Sequence, residues 1–279
     1  MHGKADLHTH TIHSDGTLSS SELVKKAKSA GLSVIGITDH DSVNGVDEAI
    51  AAGKEYDIGV VPGIEMSTCL NEKEIHILRY FVDHHNEQLL QSLVILRNER
   101  YKRAERIVKK LNSLNIPLKI EAVLDHAGNG SIGRPHIANA MVEKGHADSY
   151  QQAFGKYIGN GRPAYEKKLQ CSPLEIIKLI SEAGGLSFLA HPGNYITEGE
   201  ITQIIEAGID GIEVIHPSHD ANLLQYYRGI VNNYYLLECG GSDYHGGLKG
   251  DDGLLGQITV SSQAVEAMQR RLYRNKKTQ

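Results

Sequence analysis

The sequence predicts an α/β fold, a parallel barrel of about seven strands interrupted by a helical insertion. Three observations carry this expectation. Short apolar, β-like runs alternate with helix-like segments along most of the 279 residues. The alternation stops between 90 and 170, where only helical patterns occur. Histidines and carboxylates recur at or just past the ends of the apolar runs, and parallel barrels gather their chemistry at the carboxyl ends of their strands.

A first strand is read over 5–10, in Ala5-Asp6-Leu7-His8-Thr9-His10. Side chains two residues apart in an extended segment share a face, so His8 and His10 point to one spot. Ser19, Ser20, Ser21 and Glu22 offer helix-capping groups ahead of Leu23, Val24 and Ala27, and Gly31 supplies the stop. Val34, Ile35, Gly36 and Ile37 read as a buried strand ending in Thr38-Asp39-His40. A helix over 49–54 follows, then a strand over 60–64 leading to Glu65, then a fourth strand over 75–82 that contains His76. Past the break come a helix over 174–183, a strand over 186–190 ending at His191, and a helix over 200–207. A strand over 211–215, a helix over 223–231 and a strand over 235–238 lead to Ser242 and Asp243. Asp243-Tyr244-His245 repeats the spacing of the first pair, and Asp15 completes the set.

The break predicts an insertion over 90–170, between barrel segments 1–89 and 171–279. It opens with one long charged helix over 86–116 carrying Arg97, Arg100, Lys102, Arg103, Arg106, Lys109 and Lys110. Shorter helical stretches follow over 121–126, 135–143 and 150–157. Charge pattern alone favours a solvated helix with a basic face. The functional alternative is a lid that clamps phosphate. Gly133-Arg134-Pro135-His136 supports the lid, because it sets an Arg and a His beside a Pro-initiated helix start, where free N–H groups favour anions. The basic stretch over 270–277 reads as a helix end.

Composition is that of an ordinary globular chain, 40% hydrophobic and 23% charged, which excludes a disordered polymer. Histidine, at 15, is the outlier. A net charge of -5 argues against a broad surface for long duplex nucleic acid, so a polyanion would be caught locally. The first residues lack an apolar signal core, and no run approaches the roughly 18 apolar residues of a spanning helix. A cytoplasmic monomer with no membrane partner is the expectation. Cys69, Cys171 and Cys239 are odd in number and far apart, which predicts small core residues rather than a disulfide framework or a thiolate zinc site.

The order His8-x-His10, Asp15, Thr38-Asp39-His40, Glu65, His76, His191-Pro192-Gly193 and Asp243-x-His245 resembles the PHP family, the polymerase and histidinol phosphatase domain. Within it, the chain is most similar to stand-alone phosphoesterases acting on nucleotides or short oligonucleotides. The resemblance covers nearly the whole chain, the insertion with its Arg-Pro-His included. It implies a distorted seven-stranded barrel holding two or three divalent metals. His8, His10, Glu65 and Asp243 would hold one, Glu65, His76 and His191 a second, and Asp15, His40 and His245 a third, with Glu65 bridging. Some branches carry His where this chain has Asp15. The implied activity is hydrolysis of a phosphate ester by attack of a metal-bound hydroxide, on nucleoside 3',5'-bisphosphates or short single-stranded oligonucleotides. Arg134 would hold the phosphate, and His136 and His219 would hydrogen-bond it or protonate the leaving alcohol. A small-molecule phosphatase, such as one for histidinol phosphate, is the runner-up. A non-catalytic PHP regulatory module is the third reading.

The donor set suits manganese, iron or zinc better than calcium, since imidazoles favour borderline first-row metals. Charge sharpens the expectation. Three divalent ions less the three carboxylates leave three positive charges, enough for a phosphate monoester dianion and a hydroxide. Two ions leave one, which suits a diester monoanion better. Asp39 and Asp41 are expected to orient the His40 imidazole, as metal histidines require. His13, His84, His85, His126, His146 and His216 are expected to be structural or exposed.

Overall fold

The computed structural model describes residues 3–167, 171–182 and 184–278. Among these, eight strands form one sheet: β1 (Lys4–Asp6), β2 (Leu32–Ile37), β3 (Gly59–Leu70), β4 (Lys73–Tyr80), β5 (Leu186–Leu189), β6 (Gly211–Ile215), β7 (Leu237–Gly240) and β8 (Val260–Ser261). Their spatial order is β7-β6-β5-β4-β3-β2-β1-β8. The sheet curls until the segment after β1 meets β7. There the Leu7 N–H donates to the Gly240 carbonyl at 3.1 Å, and the His10 N–H to the Tyr244 carbonyl at 2.9 Å. Gly241 permits the seam, since a Cβ there would lie 2.4 Å from the His8 nitrogen.

The helices are α1 (Ser20–Ser29), α2 (Val46–Tyr56), α3 (Glu87–Ser113), α4 (Ile120–Ala127), α5 (Arg134–Glu143), α6 (Tyr150–Ala153), α7 (Pro173–Glu182), α8 (Glu198–Glu206), α9 (Ala221–Asn233) and α10 (Ser262–Thr278), with a π-helical turn Phe154–Ile158 after α6. The expected capping of α1 is present: the Ser19 hydroxyl accepts the Glu22 N–H at 3.3 Å while the Glu22 carboxylate accepts the Ser19 N–H at 2.8 Å. Leu23, Val24 and Ala27 face the core, as their spacing requires. Ala183, the expected end of α7, and position 170, the expected end of the insertion, lie outside the described residues.

The sheet departs from an all-parallel barrel at β4, which runs antiparallel to both β3 and β5. Asn71 and Glu72, at φ +49° and +66°, form a two-residue reversal. Such a turn fits an antiparallel hairpin, whereas parallel neighbours need a long crossover. The hairpin has a consequence for the site. His76 sits opposite Ser67 in the register, on the same face as Glu65 and diagonal to it. Glu65 and His76 therefore lie inside long strands rather than at their ends. The short β8 adds to β1 antiparallel, and its two residues show no pattern in the sequence.

The long helix α3 joins two cores. Leu89 and Leu93 pack into the barrel cluster with Ile64, Met66, Ile77 and Leu189. Farther along, Ala104, Ile107, Val108 and Leu111 pack with Val123, Ile137 and Met141 in a second cluster. Its basic face is not wholly solvated. Arg100 and Arg103 are buried, and Arg100 donates to Asp41 at 2.5 Å, Ser67 at 2.6 Å and the Ile132 carbonyl at 3.1 Å. Among the cysteines, Cys239 is buried while Cys69 and Cys171 are partly exposed and free. No helix among the described residues is long and apolar enough to cross a membrane.

Candidate metal centre

All nine expected metal-binding residues converge at one mouth of the barrel. At the middle is Glu65, buried, with five imidazoles around its carboxylate. Oε1 lies 2.6 Å from His76 Nδ1 and 2.8 Å from His191 Nε2. Oε2 lies 2.9 Å from His40 Nδ1 and 3.4 Å from the Nε2 atoms of His8 and His10. Asp243 Oδ1 stands 3.0 Å from His10 Nε2 and 3.4 Å from His8 Nε2. Asp15 Oδ1 stands 3.3 Å from His245 Nε2 and 4.0 Å from His40 Nε2.

Four groups here bring their donor atoms within 4.8 Å of one another: His10, Asp15, His40 and His245; His8, His10 and Asp243; His8, Glu65 and His191; and His40, Glu65 and His76. A test of fit comes from hydrogen bonding. The buried atoms His8 Nε2, His10 Nε2, His40 Nδ1, Asp15 Oδ1 and Glu65 Oε2 have no hydrogen-bond partner although they face one another. Buried polar atoms are nearly always satisfied, so a cluster of inward lone pairs is what a cation would complete. The residues fit divalent ions.

Protonation divides the rings: against burial, carboxylates hold the pKa of His8, His191 and His245 above the imidazole range, Glu213 first for His8, Glu65 for His191 and Asp15 for His245. Burial pushes the His40 pKa down to about 3, against the pull of Glu65 and Asp15. Burial and the neighbouring His245 lower that of His10. Both rings are thus held neutral, the form that binds metals. Burial opposes the charge of Glu65, yet His40, His76 and His8 hold it well below the carboxylate range. Asp15 and Asp243 are likewise held well down against burial, the first chiefly by Lys249 and His245, the second by His8 and His245. The backbone is strained at two of the donors, with φ of +25° at His191 and +51° at Asp243. Strain of this kind costs about 1–3 kcal/mol per residue and gathers at functional sites.

Several residues of the site escaped the sequence reading. Glu213 in β6 is buried, lies 2.9 Å from His8 Nδ1 and accepts the His191 N–H at 2.7 Å. It orients two candidate ligands at once. Its signal was a carboxylate in the middle of the apolar run Gly211-Ile212-Glu213-Val214-Ile215. His216, expected to be structural or exposed, faces Asp243 Oδ2 at 3.5 Å through a buried Nε2 and packs beside the His191 ring. Lys249 sits 3.1 Å from Asp15 Oδ2 and 2.6 Å from His245 Nε2. Nothing in its glycine-rich surroundings announced it. Asp39, expected on His40, instead accepts from Thr11 N–H, Thr11 hydroxyl and Ser14 hydroxyl at 2.7, 2.6 and 2.5 Å, and so fixes the loop after His10. Asp41 accepts from Arg100 and from the Ser67 N–H.

The three expected substrate residues fall in different settings. Arg134 stands at the start of α5, with Nη1 donating to Asn160 at 2.7 Å and its guanidinium over the rings of Phe154 and Tyr165. His136 is buried, accepts the Gly133 N–H through Nδ1 at 3.0 Å and bonds the Ser14 backbone. His219 lies 2.9 Å from the Val214 carbonyl through Nδ1 and accepts the Gly193 N–H through Nε2 at 3.1 Å. Of the three, only Arg134 opens onto the cleft over the donors. That cleft, about 300 Å³, is lined by Asp15, His40, His76, Arg100, Arg103, Arg134, Tyr150, Phe154 and Lys249 among others. A second recess of about 550 Å³ adjoins it through His76 and Arg134 and adds Asn160, Tyr165, His191 and Tyr195.

The chain is similar to a 5'-3' exoribonuclease of Haemophilus influenzae, with 33% identity over 250 residues, 88% of this chain and 91% of that protein. It is 29% identical over 246 residues to a 3',5'-nucleoside bisphosphate phosphatase of Chromobacterium violaceum, covering 86% of each. A crystal structure of a Bifidobacterium adolescentis protein assigned as a metal-dependent phosphoesterase superposes with a TM-score of 0.89 at 30% identity and 96% coverage of both chains. The PHP domain model matches residues 6–239, which hold seven of the nine donors and the helices above them, with Asp243 and His245 just past its end. Matched over that length, the chain belongs to the PHP domain family.

Proposed function

We propose that this chain is a metal-dependent phosphoric ester hydrolase that removes phosphate from nucleotides such as nucleoside 3',5'-bisphosphates, or mononucleotides from short single-stranded oligonucleotides. One observation carries the reading: five imidazoles and Glu65 converge at the floor of a cleft walled by Arg100, Arg103, Arg134 and Lys249. Cationic walls suit phosphate oxygens, and the rings of Tyr150, Phe154, Tyr165 and Tyr195 offer faces for a base. Relatives named as a ribonuclease and as a nucleotide phosphatase support the same substrate class.

Two or three divalent ions, from among manganese, iron and zinc, are the cofactors this reading requires. His8, His10, Glu65 and Asp243 would hold one and Glu65, His76 and His191 another, while Asp15, His40 and His245 supply the donors of a third position. When bound, such ions acidify water and offset charge on the phosphate. The protein's own part is placement. Arg134, steadied by Asn160 and two aromatic rings, grips the phosphate oxygens. His136 shapes the backbone that presents Arg134, and His219 pins Gly193 beside His191, so both act as positioning residues. The described part of the insertion, residues 90–167, forms the lid over the barrel. Water adds to phosphorus, the ester P–O bond breaks, and the departing oxygen takes up the proton that the attacking water gives up.

The test is a substrate panel assayed with manganese: a nucleoside 3',5'-bisphosphate, short single-stranded RNA and DNA, and histidinol phosphate. Turnover of the nucleotide substrates is expected, and a clear preference for histidinol phosphate would overturn the reading. Arg134→Ala should lower kcat/KM by about 10- to 100-fold through a raised KM and lowered kcat, the effect of losing a charged hydrogen-bonding group, with metal content unchanged. Unchanged kinetics would remove the lid from the reaction.

A further inference from the structure

The donors His10, Asp15, His40 and His245 form the third candidate group, and a side chain already occupies its open side. Lys249 Nζ lies 2.6 Å from His245 Nε2 and 3.1 Å from Asp15 Oδ2. His245 Nε2 is an atom that a metal at this position would need, and Asp15 Oδ2 belongs to the carboxylate whose Oδ1 faces His245 and His40. The nitrogen of a ligand histidine must point its lone pair at the ion, at about 2.0–2.1 Å for zinc. Here that nitrogen faces an ammonium at hydrogen-bonding distance. A divalent ion held by His245 Nε2 and Asp15 Oδ1 would lie close against a fixed positive charge, and would compete with it for the His245 lone pair.

The loop is built to hold the lysine there. Gly246 and Gly247 take φ of +86° and +95°, a backbone that residues with a Cβ rarely adopt, and so fold the segment back over His245. Asp251 accepts the His245 N–H and ties the loop's far end to the same residue. The Lys249 side chain is only partly exposed and lines the cleft beside Arg100, Arg103 and Arg134.

Resting on the phosphoesterase reading above, we propose that Lys249 is the third cation of this centre, so the chain works with two divalent ions and one tethered ammonium. An ammonium has three N–H donors. Two serve Asp15 and His245, and the third is left for a phosphate oxygen in the cleft. The ligand set then carries two positive charges in excess of its three carboxylates. That matches a phosphodiester monoanion together with a hydroxide ion, and assigns the site to cleavage of a nucleotide diester in preference to a monoester dianion.

The test counts metal. The protein is equilibrated with excess manganese, desalted, and its ions per chain measured by plasma mass spectrometry, with circular dichroism as the check on folding. Two ions per chain are expected in the natural protein and three in Lys249→Met, where the competing charge is gone. Lys249→Arg, which keeps the charge, should stay at two. Three ions in the natural protein, or two in a folded Lys249→Met, would overturn the proposal. Should Lys249→Met not fold, Lys249→Gln takes its place with the same expectations. One ion or none in every form would overturn the metal-dependent reading itself, and this inference with it.

Discussion

Glu213 lies mid-strand among apolar neighbours, where an ionised carboxylate is costly unless hydrogen bonds compensate it. It is compensated twice, by His8 and by the backbone of His191. Burial opposes its charge, and His8 is the main group that holds its pKa down. Glu213→Gln should therefore weaken metal binding by about 10- to 100-fold, the usual cost of losing a carboxylate behind a metal histidine. Competition with a fluorescent chelator measures this, and unaltered affinity would take Glu213 out of the site. The same residue shows where sequence reading stops. His8 and His10 could be paired from their spacing, because side chains two apart in an extended chain share a face. Glu213 could not be paired with His8, since 205 positions separate them and only closure of the barrel brings β6 within reach of the segment after β1.

At the scale of elements, α3 couples the insertion to the barrel through a buried ion pair. Arg100 reaches from the helix to Asp41, in the segment after β2, and to Ser67 in β3. Removing one partner of a buried pair strands the other, so Arg100→Met should cost about 3–5 kcal/mol of stability. Urea unfolding followed by circular dichroism would show it as a lowered midpoint, and a midpoint within error of the parent would mean that Asp41 is satisfied without the helix. The length of α3 was legible from its run of helix-forming residues. Which of its arginines turn inward was not, because Arg97, Arg100, Lys102, Arg103 and Arg106 all read as one basic face. Burial separates them: Arg100 and Arg103 are enclosed, while Arg106 stays partly exposed against Glu166. The β3–β4 hairpin escaped for a related reason. Asn71-Glu72 lacks the glycine that marks such turns, so the left-handed φ at Glu72 had no signal.

For the molecule as a whole, inward-facing donors without partners predict that the folded state gains stability from the ions it holds. Ions that bind only the folded chain stabilise it by about 2.7 kcal/mol at a hundredfold excess over Kd. Stripping with EDTA should lower Tm by several degrees and manganese should restore it, as scanning calorimetry would register. An identical Tm with and without the ions would mean that the folded donors do not hold them. The nine donors, the strand-helix alternation and the helical break were all determined by the sequence itself, because residue type sets ligand chemistry and local periodicity sets secondary structure. Tertiary structure alone decided that β4 runs backwards, that Glu213 stands behind His8 and His191, and that Lys249 reaches Asp15. Those are contacts between segments far apart along the chain, and their geometry follows from how the sheet closes, which no local pattern encodes.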